Sequence, residues 1–313
     1  MAHTTRRMFR PRATAALMLL AIALASCGPR SAASGGSINL TDGLDRPVTL
    51  AAPAQRVVSL APSNTEILFA LEAGAQVVGR DEFSDYPVEA KTIQSVGGSM
   101  GEYSTEAILA LEPDLVLAAE INPPELVNAL EGLGLTVYYL SNPVALEGLY
   151  TNLEIVAQLT GRQERAAALI DSLKARVAAV DEQVGAVERK PLVFYEIDAT
   201  DPAHPYTYGP GTFGDQLIQR AGGENVGSGM QDAYPQVSLE QIVVADPEII
   251  LLGDAQFGTT IESVKARSGW RGLEAVLTDR IYPFDDNLVS RPGPRLVDGL
   301  ERLARLLHPD LFP

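Results

Sequence analysis

The chain has 313 residues, 46% hydrophobic and 20% charged, a balance ordinary for soluble α/β material and long enough for two domains. Its 24 basic residues stand against 40 acidic ones, and the net charge of −16 repels nucleic acid and anionic lipid. One cysteine rules out an intramolecular disulfide, and the scarcity of histidine, three in all, argues against Ser-His catalysis and against an imidazole-rich Zn²⁺ or Mn²⁺ site, so no metal site is expected.

The first 26 residues read as a signal peptide. Arg6, Arg7, Arg10 and Arg12 give a basic start, and a short apolar run at 17–24 follows, too short for an ordinary spanning helix. Leu24-Ala25-Ser26-Cys27 resembles the lipobox of bacterial lipoproteins, in which the cysteine is lipidated and becomes the mature N-terminus. Thr5-Arg6-Arg7-Met8-Phe9 also resembles a twin-arginine export signal, and the choice between that and the general route stays open. Cleavage would remove four arginines and no acid, leaving 20 basic against 40 acidic residues, a net −20. An acyl anchor on Cys27, with 27–38 as a flexible linker, would therefore hold the domain to the outer face of a membrane.

From 39 to 160 the chain alternates strand and helix. Strands are expected at 56–60, 77–79, 115–118 and 136–140, as short Val/Leu/Ile runs without polar alternation, the mark of a parallel sheet covered on both faces. Helices are expected to about 72, capped by Ser63 or Asn64, then at 105–111 capped by Ser104, and at 124–133. Residues 144–190 contain no proline and carry apolar residues at helical spacing. Gly161 divides them: 146–159 completes the first lobe, and 163–184, within a joining segment 161–188, forms one long helix of roughly 33 Å. The alternative is a pair of packed surface helices with a loop crossing. From 189 to 313 the order repeats, with strands at 192–197, 225–226, 249–252 and 281–284 and helices at 212–221, 239–245, 260–277 and 294–307.

The repetition extends to residues. YSTEAILALEPDLVLA (103–118) and VSLEQIVVADPEIILL (237–252) align without gaps, sharing Ser104/Ser238, Glu106/Glu240, Ile108/Ile242, Pro113/Pro247 and Leu117/Leu251. AGAQVVG (73–79) pairs with AGGENVG (221–227), and Tyr86-Pro87 with Tyr234-Pro235. Two copies of one α/β unit imply two similar lobes with mainly parallel sheets joined by a single long backbone helix.

RVVSLAPSNTEILFALEAG, SDYP, EAILALEPDLVLA, YPQVSLEQI and RPGPRLVDGLE together resemble the substrate-binding proteins of bacterial ABC importers for cobalamin, ferric siderophores and haem, over about 55–307. The resemblance implies a monomeric, helical-backbone binding protein without enzymatic activity. It would hold a small molecule between its lobes and hand it to a permease dimer with cytoplasmic ATPase subunits. In that family one surface glutamate per lobe sits in an arginine pocket of the permease, and the matching positions are Glu106 and Glu240. An acid in a helix's first turn is also favoured by the dipole alone.

In a parallel fold, ligands bind at the loops beyond the carboxyl ends of the strands. Those loops carry Phe83, Tyr86, Met100, Tyr103, Tyr206, Tyr208, Tyr234, Asp286, Asn287 and Arg291. Rings with hydroxyl tips suit a large flat ligand with an amide-rich rim. The resemblance supports Phe83, Tyr206, Tyr234 and Arg291 as matches to aromatics and an arginine of cobalamin-binding relatives. Near 99–100 those relatives have a tryptophan where this chain has Ser99-Met100 and one extra residue. A siderophore or haem would ask for more bases than Arg80 and Arg291, so the order of expectation is corrinoid, then iron chelate, then haem held by Tyr86, Tyr103 or Tyr208. No cofactor beyond this cargo is expected. His204, beside Pro205 in the same region, is an exposed loop residue or a contact to ligand. A remote alternative is a nucleotide-dependent enzyme, since 209–214 satisfies G-x-G-x-x-G, although eleven or so residues separate it from the preceding strand.

Overall fold

The computed structural model describes residues 1–4, 36–98 and 102–312, so the signal peptide from residue 5 onward, Cys27, most of the 27–38 linker and Met100 lie outside the described residues. The chain divides into Met1–Gly36 and Ser37–Pro313, and every described element belongs to the second unit. An antiparallel hairpin, β1 (Ile38–Thr41) and β2 (Pro47–Leu50), opens it. Then come β3 (Val57–Ser59), α1 (Pro62–Ala70), β4 (Val77–Arg80), α2 (Thr105–Ala110), β5 (Leu115–Ala119), α3 (Pro124–Gly132), β6 (Val137–Leu140) and α4 (Leu146–Thr160). The linking helix α5 is Gln163–Val184. The second half holds β7 (Leu192–Glu196), α6 (Phe213–Arg220), β8 (Glu224–Asn225), α7 (Leu239–Ala245) and β9 (Ile249–Leu252). It continues with α8 (Ile261–Ala266), α9 (Glu274–Leu277), β10 (Ile281–Pro283), α10 (Asn287–Ser290) and α11 (Leu296–Leu307).

The two four-stranded sheets run β4-β3-β5-β6 and β10-β9-β7-β8, with every pairing parallel. Numbered within each half, both follow the order second-first-third-fourth, so the duplication read in the residues is a duplication of topology.

Strand alternation distributes the core. Val57, Leu115, Leu117, Tyr138 and Leu140 face one side of the first sheet, and Val193, Tyr195, Ile249 and Leu251 the matching side of the second. With α4, α5 and α11 these residues make one continuous core running through both lobes. The alternate residues make two separate cores, one around Val58, Val116 and Ile108, the other around Phe194, Ile250 and Ile242. Helix α5 earns its place through the buried stripe Ala166, Ile170, Leu173, Val177 and Val180, spaced four, three, four, three. Gly161, at φ +73°, ends α4 in the left-handed conformation and lets α5 begin two residues later.

Two expected helices differ, and one hairpin is new. Helix α1 starts at Pro62 behind Ala61, because proline suits the first helical turn; Asn64 instead turns inward and donates to Leu117 O and Ala118 O, both at 3.1 Å. The single helix expected at 260–277 is broken at Gly269 (φ +84°) into α8, a 3-10 turn and α9. The hairpin at 38–50, unforeseen, places Ile38 in a strand rather than in the linker.

Candidate functional site

The carboxyl ends of both sheets face a cleft between the lobes, a cavity of about 710 Å³. The first lobe supplies Leu60, Asp81, Glu82, Phe83, Asp85, Tyr103, Ala119, Ile121 and Asn142; the second supplies Gln256, Phe257, Asn287, Ser290 and Arg291. Large apolar side chains meet water here at unusual exposure: Phe83 54%, Ile121 73% and Phe257 84%. Ile121 and Phe257 follow the third strand of their respective sheets. Sequence reasoning missed both, although each lies just beyond the carboxyl end of a strand, where a ligand-facing residue belongs.

Of the residues expected to bind, Phe83, Tyr103, Asn287 and Arg291 line this one cavity. Tyr206 and Tyr234 are exposed on second-lobe loops outside its lining. Burial raises the pKa of the Tyr234 phenol, helped by Asp286 and by Glu120 of the opposite lobe. Tyr208 departs from expectation. It is buried, stacks edge-on against Tyr195 at 4.9 Å, and donates to Asp286 Oδ1 (2.7 Å), which also accepts from Tyr195 Oη (3.0 Å). Tyr86 departs too: it lines a separate cavity of about 300 Å³ beside α5, under the Arg295 guanidinium 4.0 Å from its ring centre. His204 is exposed and its Nδ1 lies 2.9 Å from Asp201 Oδ2.

Arg291 is the only lysine or arginine among the described residues lining the cleft, and its charge is already matched. Its Nη1 donates to Asp85 Oδ1 (2.7 Å) and to Glu66 Oε1 (3.2 Å). Glu66, with a side chain 2% exposed, also receives Arg295 Nε (2.9 Å) and Nη2 (2.5 Å). A carboxylate of α1 thus fastens the first lobe to two arginines of the second, Arg291 lining the cleft and Arg295 the separate cavity beside α5. Burial alone would lower the Arg295 pKa; Glu66 outweighs it and raises it. Beside this latch, burial raises the Asp81 pKa from its ordinary value despite bonds from Ser84 and from Phe83 N (2.9 Å). Tyr103 is pushed up to about 12 by burial and by Asp81. Its hydroxyl donates to Leu60 O (2.8 Å) and accepts from Asn122 Nδ2 (2.8 Å).

The glycines of 209–214 have packing duties. A Cβ on Gly214 would lie 2.1 Å from the Tyr208 ring and one on Gly209 2.1 Å from Asp232 O, while Thr212 caps α6 by accepting from Asp215 N (3.2 Å). Residues 197–212 separate β7 from α6, so no helix starts directly from the strand end as a dinucleotide site requires.

Glu106 and Glu240 occupy matching places. Each is exposed in the first turn of its helix, α2 or α7, and Ser104 and Ser238 cap those helices by accepting from Ala107 N (3.1 Å) and Gln241 N (3.3 Å). Neither glutamate has an ion-pair partner within 4.0 Å among the described residues.

A ligand-sized gap between two duplicated parallel-sheet lobes, braced by one helix, defines a two-lobed solute-binding protein. Residues 57–288 match the periplasmic binding protein family, and the chain belongs to it. It is 31% identical to an uncharacterized ABC transporter substrate-binding lipoprotein of Bacillus subtilis, over 95% of this chain and 97% of that one. It is 30% identical to a cobalamin-binding protein of Halobacterium salinarum, covering 85% of this chain and 73% of the relative. Among solved structures, the apo form of the periplasmic heme-binding protein RhuT from Roseiflexus sp. RS-1 superposes with a TM-score of 0.74 at 28% identity, covering 82% of this chain and 99% of that one.

Proposed function

We propose that this protein captures a corrinoid between its lobes and delivers it to an ABC importer, remaining outside the cytoplasm on a lipid anchor at Cys27. The segments 1–26, 27–38, 39–160, 161–188 and 189–313 then act as signal, tether, first lobe, brace and second lobe of a monomer that performs no chemistry. Glu106 and Glu240 dock onto a permease dimer driven by cytoplasmic ATPase subunits. Phe83, Tyr103, Asn287 and Arg291 contact the cargo, joined by Ile121 and Phe257, while Tyr206 and Tyr234 extend the contact at the rim.

The observation that carries the cargo assignment is the balance of charge in the cleft. Three carboxylates, Asp81, Glu82 and Asp85, line it with one guanidinium already paired to Glu66 and Asp85. An anionic iron chelate would meet repulsion with no spare cation among the described lining residues; cobalamin, nearly neutral, asks for apolar area and scattered hydrogen bonds. The tyrosines that a tyrosinate-bound haem would use are committed elsewhere: Tyr103 to Leu60 and Asn122, Tyr208 to Asp286, Tyr86 beneath Arg295. The test is calorimetric titration of the processed protein with cyanocobalamin, haemin and a ferric siderophore. Saturable one-to-one binding of cyanocobalamin is expected; tight binding of haemin alone would overturn the cargo and leave the importer role standing.

A further inference from the structure

We infer that α2 and α7 are two matched amphipathic docking surfaces, in which Leu109 on one lobe and Val243 with Val244 on the other give apolar contact beside Glu106 and Glu240. The partner is one built of two equivalent subunits, each offering a basic side chain next to an apolar ledge. This rests on the importer reading and deepens it by naming the chemistry of the docking face.

Residues three and four apart on a helix adjoin. On α2 that places Glu106 beside Leu109 and Ala110; on α7 it places Glu240 beside Val243 and Val244. All six are exposed, with Leu109 at 37%, Val243 at 47% and Val244 at 86%. They are also the same three positions of the repeated unit, 106/240, 109/243 and 110/244. The fold itself calls on Ile108 and Ile242, the one fully buried residue of each helix.

Helix formation does not ask for these side chains. Adjacent β-branched valines are weaker helix formers than Ala, Glu or Lys, which an exposed position would otherwise favour. A lone apolar residue at the surface needs no explanation. One that recurs at the equivalent place on two lobes, each time a turn from a glutamate with no ion-pair partner among the described residues, points to a doubled partner surface. The glutamates fix the sign of its charge, and the same acids disfavour an anionic lipid surface.

The two surfaces are unequal. Val243 and Val244 expose more apolar surface than Leu109 and Ala110, and α7 carries a full capping box, with Gln241 Oε1 accepting from Ser238 N (2.9 Å), where α2 has the serine cap alone. The second lobe is therefore the stronger anchor.

The test uses the processed protein and the permease–ATPase assemblies of its own genome, purified one by one and reconstituted in phosphatidylcholine nanodiscs, with affinity read by biolayer interferometry. Against the assembly that the wild type docks on, Val243→Gln with Val244→Gln is expected to weaken docking roughly tenfold and Leu109→Gln by about threefold, with cyanocobalamin affinity and Tm unchanged. Docking within a factor of about two of wild type for the triple variant, while Glu106→Ala with Glu240→Ala loses it, overturns this inference and spares the importer reading. Wild type that docks on no assembly, or binds empty nanodiscs equally, sinks both. Sedimentation showing a wild-type dimer that the glutamine variants dissociate assigns the surface to a second copy and also overturns it.

Discussion

The two lobes share a scaffold and differ where the scaffold meets the cleft. Both have strand order second-first-third-fourth, a serine cap before the exposed glutamate, and an acid in the left-handed region before proline: Glu112 at φ 44° and Asp246 at φ 46°. The acid after that proline serves the start of the first strand in both. Asp114 accepts from Gln55 N (2.8 Å) and Arg56 N (3.0 Å), and Glu248 from Leu192 N (3.3 Å). Thus much of the repeated motif is explained by folding alone. Divergence begins at the carboxyl ends. In the first lobe β3 runs almost directly into α1 and the long excursion follows β4; in the second, residues 197–212 intervene between β7 and α6. Under those loops the first lobe buries a hydroxyl cluster, with Thr65 Oγ1 bonded to Ser59 Oγ (2.8 Å) and Ser84 Oγ (2.7 Å). The second buries the Glu196–Arg267 ion pair. A copied frame with recast loops is what a binding protein needs if its ligand is asymmetric while its partner is not.

The largest effect expected from breaking this comparison is at that ion pair. Glu196 is fully buried, so Arg267→Met, which strands its carboxylate, should cost about 3–5 kcal/mol in urea unfolding, against about 1 kcal/mol for Thr65→Ala in the first lobe. Equal costs would mean that the lobes are supported alike. Next comes the latch. Glu66→Gln removes the shared partner of Arg291 and Arg295 and should cost about 1.5–3 kcal/mol while increasing hydrogen exchange at 83–86 and 291–295 together. Exchange that rises on one side only would show the lobes to be held by the hydrophobic core alone.

These two sites also mark where the sequence is legible. Helix α5 matches its expected bounds, because its 166-170-173-177-180 stripe and the flanking Gly161 are local signals. The parallel strands are readable as apolar runs, to within a residue or two at their ends. The hairpin at 38–50 is not, since four-residue strands with alternate exposure carry little apolar weight. Site residues are less legible still. Tyr208 looks like any loop tyrosine until Asp286, 78 residues away, buries its hydroxyl. Glu66 reads as one more helix acid until arginines more than 220 residues further on reach it. Long-range partners decide such side chains, and no local period records them.

A smaller effect sharpens the left-handed pair. Glu112→Gly should relieve backbone strain and stabilise by about 0.5–1 kcal/mol. Asp246→Gly should gain less, because Asp246 Oδ1 also accepts from Glu274 N (2.8 Å). Thermal unfolding of both variants checks the difference, and identical gains would remove it.

The smallest effect is with pH. Burial would raise Asp85, but the bond and charge of Arg291 outweigh it and hold its pKa below 3.8; Arg176 holds Glu301 below 4.5. For carboxylates lowered on folding, the stabilisation is whole above those unfolded values and is lost as pH falls through the folded ones. Contacts between the lobes and along α5 should therefore hold near neutrality and loosen only in strong acid, seen as expansion by small-angle scattering without loss of helix.

Hydrogen exchange across the whole chain, with and without cyanocobalamin, probes the cleft itself. Slower exchange in paired stretches, 81–86 and 119–123 on one side and 253–258 and 286–292 on the other, is the predicted result. Slowing confined to one lobe, or none at saturating vitamin, would contradict capture between the duplicated halves.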